Sequence, residues 1–514
     1  MEEPSEVKTQ LSLFRLPDEI LLKIIGHLDD WSEAEEIHDK KLEQTVTIPG
    51  FGGPIALRMY LHDAECPILT SFQTFAVVNH QIYSLCRPII WQRLTFPSPL
   101  PGPMTTWMKE ILPKHGSYVK TVYAELREEW FERPPKPLSI KQAIKHTDRR
   151  QHAPGSGIEE AKESDDDEDI YTDNFSVSLT HRRHQHEPTS LGLCPENLVR
   201  VLSYCEKLTT LELICPDTER NYPNSGEVRN LSYNLTSLFS ELGNLQHLKL
   251  SGPYNSSIQA ECIYKPLTQL PLLESLDLAC VAVEDRRKLG SLATSLHSLK
   301  KLRCLVMDEV DALNSSWGCQ EGPPHLDSLM ITDCTHLRFA KTPVFVSSWA
   351  PHLTHLELRF VEPYDDLSQE DLSRFNPKRN RVSLPALTHL TIWPHSGCHY
   401  IHCFSDCKEL RQLTFNYFIR CDEEDEEDKD EDFIPDPDGS YKGLIALSEF
   451  IAENVFPKLK VIVIPIEEDH FPLEPISAAA LSPLEEFCKL NGIELKLFPG
   501  DIRRKTWRVR HNYD

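Results

Sequence analysis

Hydrophobic residues recur between residues 208 and 464 in the frame Leu-x-x-Leu-x-Leu, with conservative replacements. Each copy predicts a short strand, because its second and third hydrophobic positions are two residues apart and share one face of a strand. Proline often precedes the frame, where it would end a preceding helix. The copies are Leu208/Leu211/Leu213, Leu245/Leu248/Leu250, Leu273/Leu276/Leu278, Leu302/Leu305/Met307, Leu326/Leu329/Ile331, Leu353/Leu356/Leu358, Leu387/Leu390/Ile392, Leu410/Leu413/Phe415 and Leu459/Ile462/Ile464, with a weaker early copy at Val119/Val122/Ala124 and a terminal candidate at Ile493/Leu495/Leu497.

This pattern resembles an irregular leucine-rich repeat array. One repeat cannot bury its own apolar face, so neighbouring repeats must stack and share a core. Each buried aliphatic side chain contributes about 1.5–3 kcal/mol, and columns of leucine therefore predict a strong core. The resemblance implies an α/β solenoid over residues 115–500, with a curved parallel sheet and helices or turns on its convex side. The alternative is a globular α/β domain with leucine-rich strands.

The N-terminal pattern predicts a short helix beginning at Leu16-Pro17. Proline suits the first helical position, and the acidic Asp18 and Glu19 complement the positive end of the helix dipole. The apolar positions fall in two adjacent rows at four-residue spacing, Ile20/Ile24/Leu28 and Leu21/Ile25. This apolar surface exceeds what one small neighbour can cover, so the pattern favours a partner protein over an ordinary amphipathic helix.

Apolar periodicity resumes over residues 72–94, after an irregular insertion at about 31–70 that is rich in proline and glycine. Together the two segments resemble an F-box over residues 11–96, interrupted where that family usually has only a few residues. Long surface insertions are thermodynamically tolerated. The matching residues are Leu16, Pro17, Asp18, Glu19, Ile20, Ile24 and Leu28 in the first segment and Val78, Asn79, His80, Leu85, Pro88, Trp91 and Leu94 in the second.

A three-helix F-box-like module followed by leucine-rich repeats resembles the substrate receptors of SCF-type cullin–RING ubiquitin ligases. The resemblance implies that the module docks on a Skp-type adaptor and that the repeats hold a substrate protein of unknown identity. Catalysis would be proximity supplied by the ligase scaffold, with no catalytic residue in this chain. The expected adaptor contacts are Leu16, Pro17, Ile20, Ile24, Leu28, Val78 and Trp91. The alternative is a repeat scaffold that joins no ligase.

The best candidate for substrate binding is the strand surface of the repeats, because residues between the leucines point away from the core. Two adjacent repeats offer charged and aromatic side chains there, and arginine and tryptophan are enriched at binding hot spots. The predicted substrate-binding residues are His355, Glu357, Arg359, His389, Thr391 and Trp393. The alternative is that they are ordinary solvated strand residues.

A formal charge of −25 argues against nucleic acid or an anionic membrane surface as the main partner. Acidic runs at 163–169 and 422–432 lie in polar segments, 132–190 and 421–440, which we predict to be disordered insertions. The N-terminus lacks the basic segment and apolar run of a signal peptide, and fifteen cysteines show no disulfide framework. Both observations favour the cytoplasm or nucleus.

The sequence contains no phosphate-binding glycine loop, nucleophile elbow or zinc-protease helix, so we expect no enzyme and no cofactor. One group of cysteine and histidine residues could bind a metal, because its members could pair at four-residue spacing on a repeat helix. The group comprises Cys398, His399, His402, Cys403 and Cys407. Zinc needs four ligands that close a tetrahedron, and buried cysteine is a common small apolar filler, so we expect no metal site.

Overall fold

The computed structural model describes residues 17–29, 31, 71–96, 104–126, 193–215, 225–252, 257–282, 290–313, 315–334, 337, 341–359, 376–377, 379–393, 398–415, 447–453, 455–466 and 475–499. Outside these residues lie Leu16, the predicted insertions at 132–190 and 421–440, and residues 32–70 of the predicted insertion at 31–70. The chain divides into two compact units. The described part of the first unit runs up to residue 123 and includes 200–208, and the second unit holds the remainder.

Three helices open the first unit: α1 (residues 18–29), α2 (Ser71–Ala76) and α3 (His80–Ile90). The Pro17 carbonyl accepts the first helical hydrogen bonds, from the N–H groups of Ile20 and Leu21. Pro17 therefore caps α1 instead of occupying its first position, because the helix begins one residue later than predicted. Asn79 caps α3, since its side chain accepts from the Ile82 N–H at 2.8 Å.

A small apolar core joins the three helices. Its buried members are Ile25 of α1, Phe72 and Ala76 of α2, and Ile82 and Cys86 of α3. Of the two apolar rows on α1, the row formed by Leu21 and Ile25 is buried, and Ile25 belongs to this core. The other row faces outward at its N-terminal end, and helical geometry explains this difference because adjacent rows point about 100° apart.

The rest of the first unit places two strands beside a composite helical segment. Strands β1 (Arg93–Phe96) and β2 (Thr121–Glu125) are neighbours, and the Gln92 carbonyl accepts hydrogen bonds from the N–H groups of residues 120 and 121. Between them, residues 104–118 form helical turns that include a π-helical stretch, Trp107–Ile111.

The second unit is built on a parallel sheet. Its strands are β3 (Thr210–Ile214), β4 (His247–Ser251), β5 (Ile258–Gln259), β6 (Ser275–Ala282), β7 (Cys304–Val310), β8 (Ser328–Thr332), β9 (His355–Arg359), β10 (His389–Trp393), β11 (Gln412–Phe415), β12 (Val461–Ile466) and β13 (Glu494–Pro499). They pair in chain order, except that the short β5 adds only to β6. Parallel pairs in chain order require a crossover after every strand, which is the arrangement of stacked repeats.

The register aligns the leucine frames in columns. The second position of each frame pairs with the second position of the next, from Leu211 and Leu248 in β3–β4 to Ile462 and Leu495 in β12–β13. The third positions align in the same way and are buried throughout β3–β12. All nine predicted frames thus form strands of one parallel ladder, as the repeat pattern indicated.

Helices between the strands complete the core. They span Ser225–Ser240, Ala260–Leu267, Gly290–Ser298, Thr342–Trp349, residues 447–452 and Pro475–Asn491, with 3₁₀ turns at Ser315–Cys319 and Cys398–Phe404. A further helix, Pro195–Ser203, belongs to the second unit only up to residue 199. Their buried leucines and aromatic residues supply the second wall of the core. Trp317 and Trp349, for example, are both buried, with ring centroids 5.7 Å apart.

Gly322 tests how tightly this second wall is packed. A Cβ atom at Gly322 would collide with the Trp349 carbonyl oxygen and lie 2.9 Å from the indole ring. We predict that Gly322→Ala lowers the free energy of unfolding by about 1–3 kcal/mol, because a packed core resists added volume. The matched control is Gly243→Ala, where a Cβ meets open space and should change the value by less than about 0.5 kcal/mol. Urea unfolding measures both, and equal effects would contradict the packing argument.

Candidate functional site

The side chains that alternate with the inward leucines of β3–β12 form a second surface, here called the outer strand face. In-register pairing arranges them in columns. One column precedes the second leucine of each frame, one lies between the two leucines and one follows the third position. The last column, here called the third column, runs Ser251, Ala279, Asp308, Thr332, Arg359 and Trp393.

The six predicted substrate-binding residues meet on this face. His355 pairs with His389, Glu357 with Thr391 and Arg359 with Trp393 across β9 and β10. Glu357 and Thr391 are only 4% and 7% exposed, whereas the other four residues are half-buried. Lateral neighbours cover the middle column because adjacent strands lie only about 4.8 Å apart. A partner would therefore contact mainly the two histidines, Arg359 and Trp393.

The two histidines form a stacked pair with fixed orientation. Their ring centroids lie 4.3 Å apart with planes 8° from parallel. Nδ1 of His355 lies 2.8 Å from the Thr354 hydroxyl, and Nδ1 of His389 lies 2.9 Å from the Thr388 hydroxyl. Each threonine hydroxyl also lies 3.0 Å from a backbone carbonyl, of Asp327 for Thr354 and of Thr354 for Thr388. These hydrogen bonds tie the orientation of both rings to the backbone of the repeats.

Arg359 is held between an anion and an aromatic ring. Its guanidinium lies 5.5 Å from the Trp393 ring centroid, within the range of a cation–π contact. Its Nε atom is 3.6 Å from a carboxylate oxygen of Asp333. The arginine is therefore already oriented by the fold, which reduces the entropy that a partner contact would cost.

An acidic group beside this patch was missed by the sequence analysis. It consists of Asp308, Glu309 and Asp333, with Asp277 on the next strand. Asp277 has a cation at hand, since Lys249 Nζ lies 3.2 Å from its carboxylate, yet burial still raises the pKa of Asp277. Burial, followed by the charges of Asp333, Glu309 and Asp277, raises the pKa of Asp308 to about 6.

The signal for Asp308 was present in the sequence, because it occupies the same column as Arg359 and Trp393. No pattern in the sequence indicated Glu309 and Asp333.

Glu309, Asp333 and Cys280 adopt positive φ angles of 53–54° at equivalent positions of three successive repeats. The left-handed conformation is uncommon outside glycine. It brings the Cys280 thiol to 3.3 Å from Glu309 as a hydrogen-bond donor, and burial and Glu309 raise the thiol pKa to about 12.

The first unit exposes apolar residues at one end of its helices. Gln81 donates to Asp18 at 3.2 Å, which sets the N-terminal ends of α1 and α3 side by side. The exposed residues include Pro17 and Ile20 at the N-terminal end of α1 and Val78 just before α3. The exposed fraction is 42% for Ile20 and 52% for Val78. Leu22 and Val77 add further exposed surface on the same elements.

The other predicted adaptor contacts are less accessible. Ile24 and Leu28 are half-buried, and Leu28 packs against the three-helix core. Trp91 is half-buried and stacks on His115 at 4.1 Å, with Trp107 at its edge. Burial, with the charge of Arg87, lowers the pKa of His115 to about 4, so this stack is between neutral rings near neutral pH. Trp91 thus has a structural role inside the first unit.

The segment that carries the Cys/His group differs from the predicted repeat helix. The backbone of Cys398–Phe404 is a 3₁₀ helix, whose period is three residues and not the four-residue spacing on which the predicted pairs depended. Cys403 and Cys407 are buried, and burial raises the pKa of each thiol to about 12. Within the described ranges no three His, Cys, Asp or Glu side chains are grouped as metal ligands.

The repeats are the part of the chain that matches known proteins. Residues 207–424 match a family model described as a leucine-rich repeat region. Among solved structures, the chain is similar to the leucine-rich repeat-containing protein LegL7 from Legionella pneumophila, with 14% identity over 57% of this chain and 87% of that one and a TM-score of 0.33. No curated protein matches the sequence. The family match and the parallel sheet agree that this part of the chain is a leucine-rich repeat region.

No helix in the described part of the chain is both long enough and apolar enough to cross a bilayer.

Asp308 provides a pH test of the outer strand face. Folding raises its pKa from an ordinary value near 4 to about 6, so the folded protein holds this proton more tightly than the unfolded chain. Its stabilising contribution is complete below pH 4 and is lost as the pH rises through 6. Asp308→Asn should therefore raise the free energy of unfolding by about 1–2 kcal/mol at pH 7.5 and leave it unchanged at about pH 4. Denaturation at the two pH values measures this, and a gain independent of pH would contradict it.

Proposed function

We propose that this chain is the substrate-recognition subunit of an SCF-type E3 ubiquitin ligase complex, located in the cytoplasm or nucleus. The observation that carries the proposal is the three-helix cluster, whose core is complete while Pro17, Ile20 and Val78 remain exposed. An exposed apolar patch of this kind commonly marks a protein-interaction site. The leucine-rich repeat region supplies a second, separate interaction surface.

The proposed roles divide between the two units. The exposed apolar residues of α1 and of the loop before α3 would bury themselves against a Skp-type adaptor, which links the chain to a cullin–RING ligase. The outer strand face would hold the substrate protein. The chain itself would supply no catalytic group, because ubiquitin transfer would depend on proximity between the held substrate and the charged conjugating enzyme.

The fold of the first unit supports the adaptor surface in a specific way. Leu21 and Ile25 are the buried apolar residues of α1, whereas Ile20 and Leu22 remain exposed beside the core that joins the three helices. Because Ile20 and Leu22 are 42% and 47% exposed, burying them against a partner would contribute about 1–3 kcal/mol before association costs. Residues that stabilise a partner and not their own fold are the expected signature of a docking helix.

A second candidate function is a leucine-rich repeat interaction scaffold that takes no part in ubiquitination. The family match over residues 207–424 supports this coarser role equally well. Affinity purification of the full chain from cells, followed by detection of cullin, separates the two functions. The scaffold role predicts partners of the repeats without cullin.

The adaptor contact can be tested by substitution. We predict that Leu16→Ala with Pro17→Ala, and independently Ile20→Asp, abolish co-purification of a Skp-type adaptor and cullin. The reason for the second variant is that an aspartate at an exposed apolar position would have to be desolvated in the interface. Immunoblotting of the purified complex is the measurement.

The matched control is Leu490→Asp, which places the same charge at a residue that is 85% exposed in the second unit. It should leave adaptor binding intact. Circular dichroism should show unchanged folding for all three variants. Retained adaptor binding by both test variants would overturn the proposed docking surface.

A further inference from the structure

We propose that the outer strand face binds a lysine or arginine side chain of its partner protein, at a site formed by Asp308, Glu309 and Thr332. This inference rests on the proposed function, in which the repeats hold a partner, and it adds the chemistry of the element that they hold. It differs from the predicted patch of histidine, arginine and tryptophan, which lies on the next two strands.

The first observation is an excess of negative charge. Between β3 and β9 the strands and Asp333 carry six carboxylates and two cations. The carboxylates are Glu212, Asp277, Asp308, Glu309, Asp333 and Glu357, and the cations are Lys249 and Arg359. The two cations lie beside Asp277 and Asp333, at 3.2 and 3.6 Å. Within the described ranges no ion pair reaches Asp308 or Glu309, so their charge is available to an incoming cation.

The second observation is independent of charge and concerns Thr332. This residue is only 4% exposed, and its hydroxyl has no hydrogen-bond partner among the described residues. Register pairing sets it in the third column directly between Asp308 and Arg359. A buried polar group without a partner costs about 1–3 kcal/mol, so a donor group from a partner protein that reached this hydroxyl would relieve that cost.

The two observations select the same ligand chemistry. An ammonium group has three donors and no acceptor, and a guanidinium has five donors, so either suits a site made of carboxylate and hydroxyl oxygens. A carboxylate or phosphate of the partner would instead meet the excess of like charge. The raised pKa of Asp308 agrees with this geometry, because burial and the neighbouring carboxylates disfavour its charged form and Arg359 offsets them only in part.

The test uses the full chain and a fluorescein-labelled octapeptide of alternating lysine and glycine, with a glutamate–glycine octapeptide for comparison. Fluorescence anisotropy at about 0.15 M salt measures the dissociation constants. We expect the lysine peptide to bind and the glutamate peptide not to bind. Asp308→Asn with Glu309→Gln, and separately Thr332→Val, should each weaken lysine-peptide binding about tenfold, the value of one charge-assisted hydrogen bond.

Matched controls separate a site from general attraction to an acidic protein. Glu449→Gln with Glu453→Gln removes the same charge from exposed positions near the helix of residues 447–452. Thr414→Val removes a buried hydroxyl from the same face three strands away. Both controls should change the affinity by less than about twofold. Equal weakening by test and control variants, or no lysine-peptide binding by the wild type, would overturn the proposal.

Folding and ligase function are read out separately. Thr332→Val keeps the side-chain shape and removes an unpaired hydroxyl, so its thermal midpoint should equal or exceed that of the wild type. Adaptor and cullin co-purification should be unchanged in the Asp308→Asn, Glu309→Gln variant. Absence of cullin from the wild type together with intact lysine-peptide binding would overturn only the ligase role. The reverse result would overturn only the cation site.

Discussion

The in-register pairing of parallel strands is the constraint on which the second unit depends. Each repeat aligns its two inward hydrophobic positions with those of the next, so Leu211, Leu248, Leu276 and their successors form one continuous buried column. A slip of one residue would turn the leucines outward and the polar residues into the core. The residue before each strand reinforces the register, because its carbonyl accepts two N–H groups from the following repeat, as Asp327 does from residues 354 and 355.

The same register decides the chemistry of the outer strand face. Residues that are 24 to 34 positions apart in sequence, such as Asp308 and Thr332 or His355 and His389, become lateral neighbours about 4.8 Å apart. His355 then stacks on His389, Arg359 lies over Trp393, and Asp308 meets the charges of Asp333 and Asp277. Close lateral packing also removes water, which explains why Glu357 and Thr391 are covered although they alternate with core leucines. The candidate site is therefore a property of stacked repeats and not of any single repeat.

The first unit obeys a different rule. Of the apolar residues on α1, Leu21 and Ile25 are buried, and Ile25 belongs to the core that joins the three helices. The remaining apolar residues at the N-terminal ends of α1 and α3 are exposed and do not form part of the core. That separation between residues that hold the unit together and residues that face outward gives the proposed adaptor surface its physical basis. Trp91 illustrates the opposite case, because its stack with His115 ties it to its own unit.

The sequence by itself determined the repeat architecture, since the leucine frame encodes strand, inward face and stacking at once. It also identified the pairing of residues 355–359 with 389–393, because equivalent frame positions must become neighbours in a parallel ladder. It placed the start of α1 one residue early and assigned residues 398–404 to a helix with the wrong period, because local pattern fixes helix type and ends poorly.

Only the tertiary structure decided which α1 row is buried, which outer-face side chains are accessible, and that Asp308, Glu309 and Thr332 come together. The physical reason is that exposure, left-handed backbone at Glu309 and Asp333, and the raised pKa of Asp308 all depend on neighbours contributed by other repeats. A hydrophobic pattern specifies where the core is, whereas the environment of each polar group is set by the packing around it.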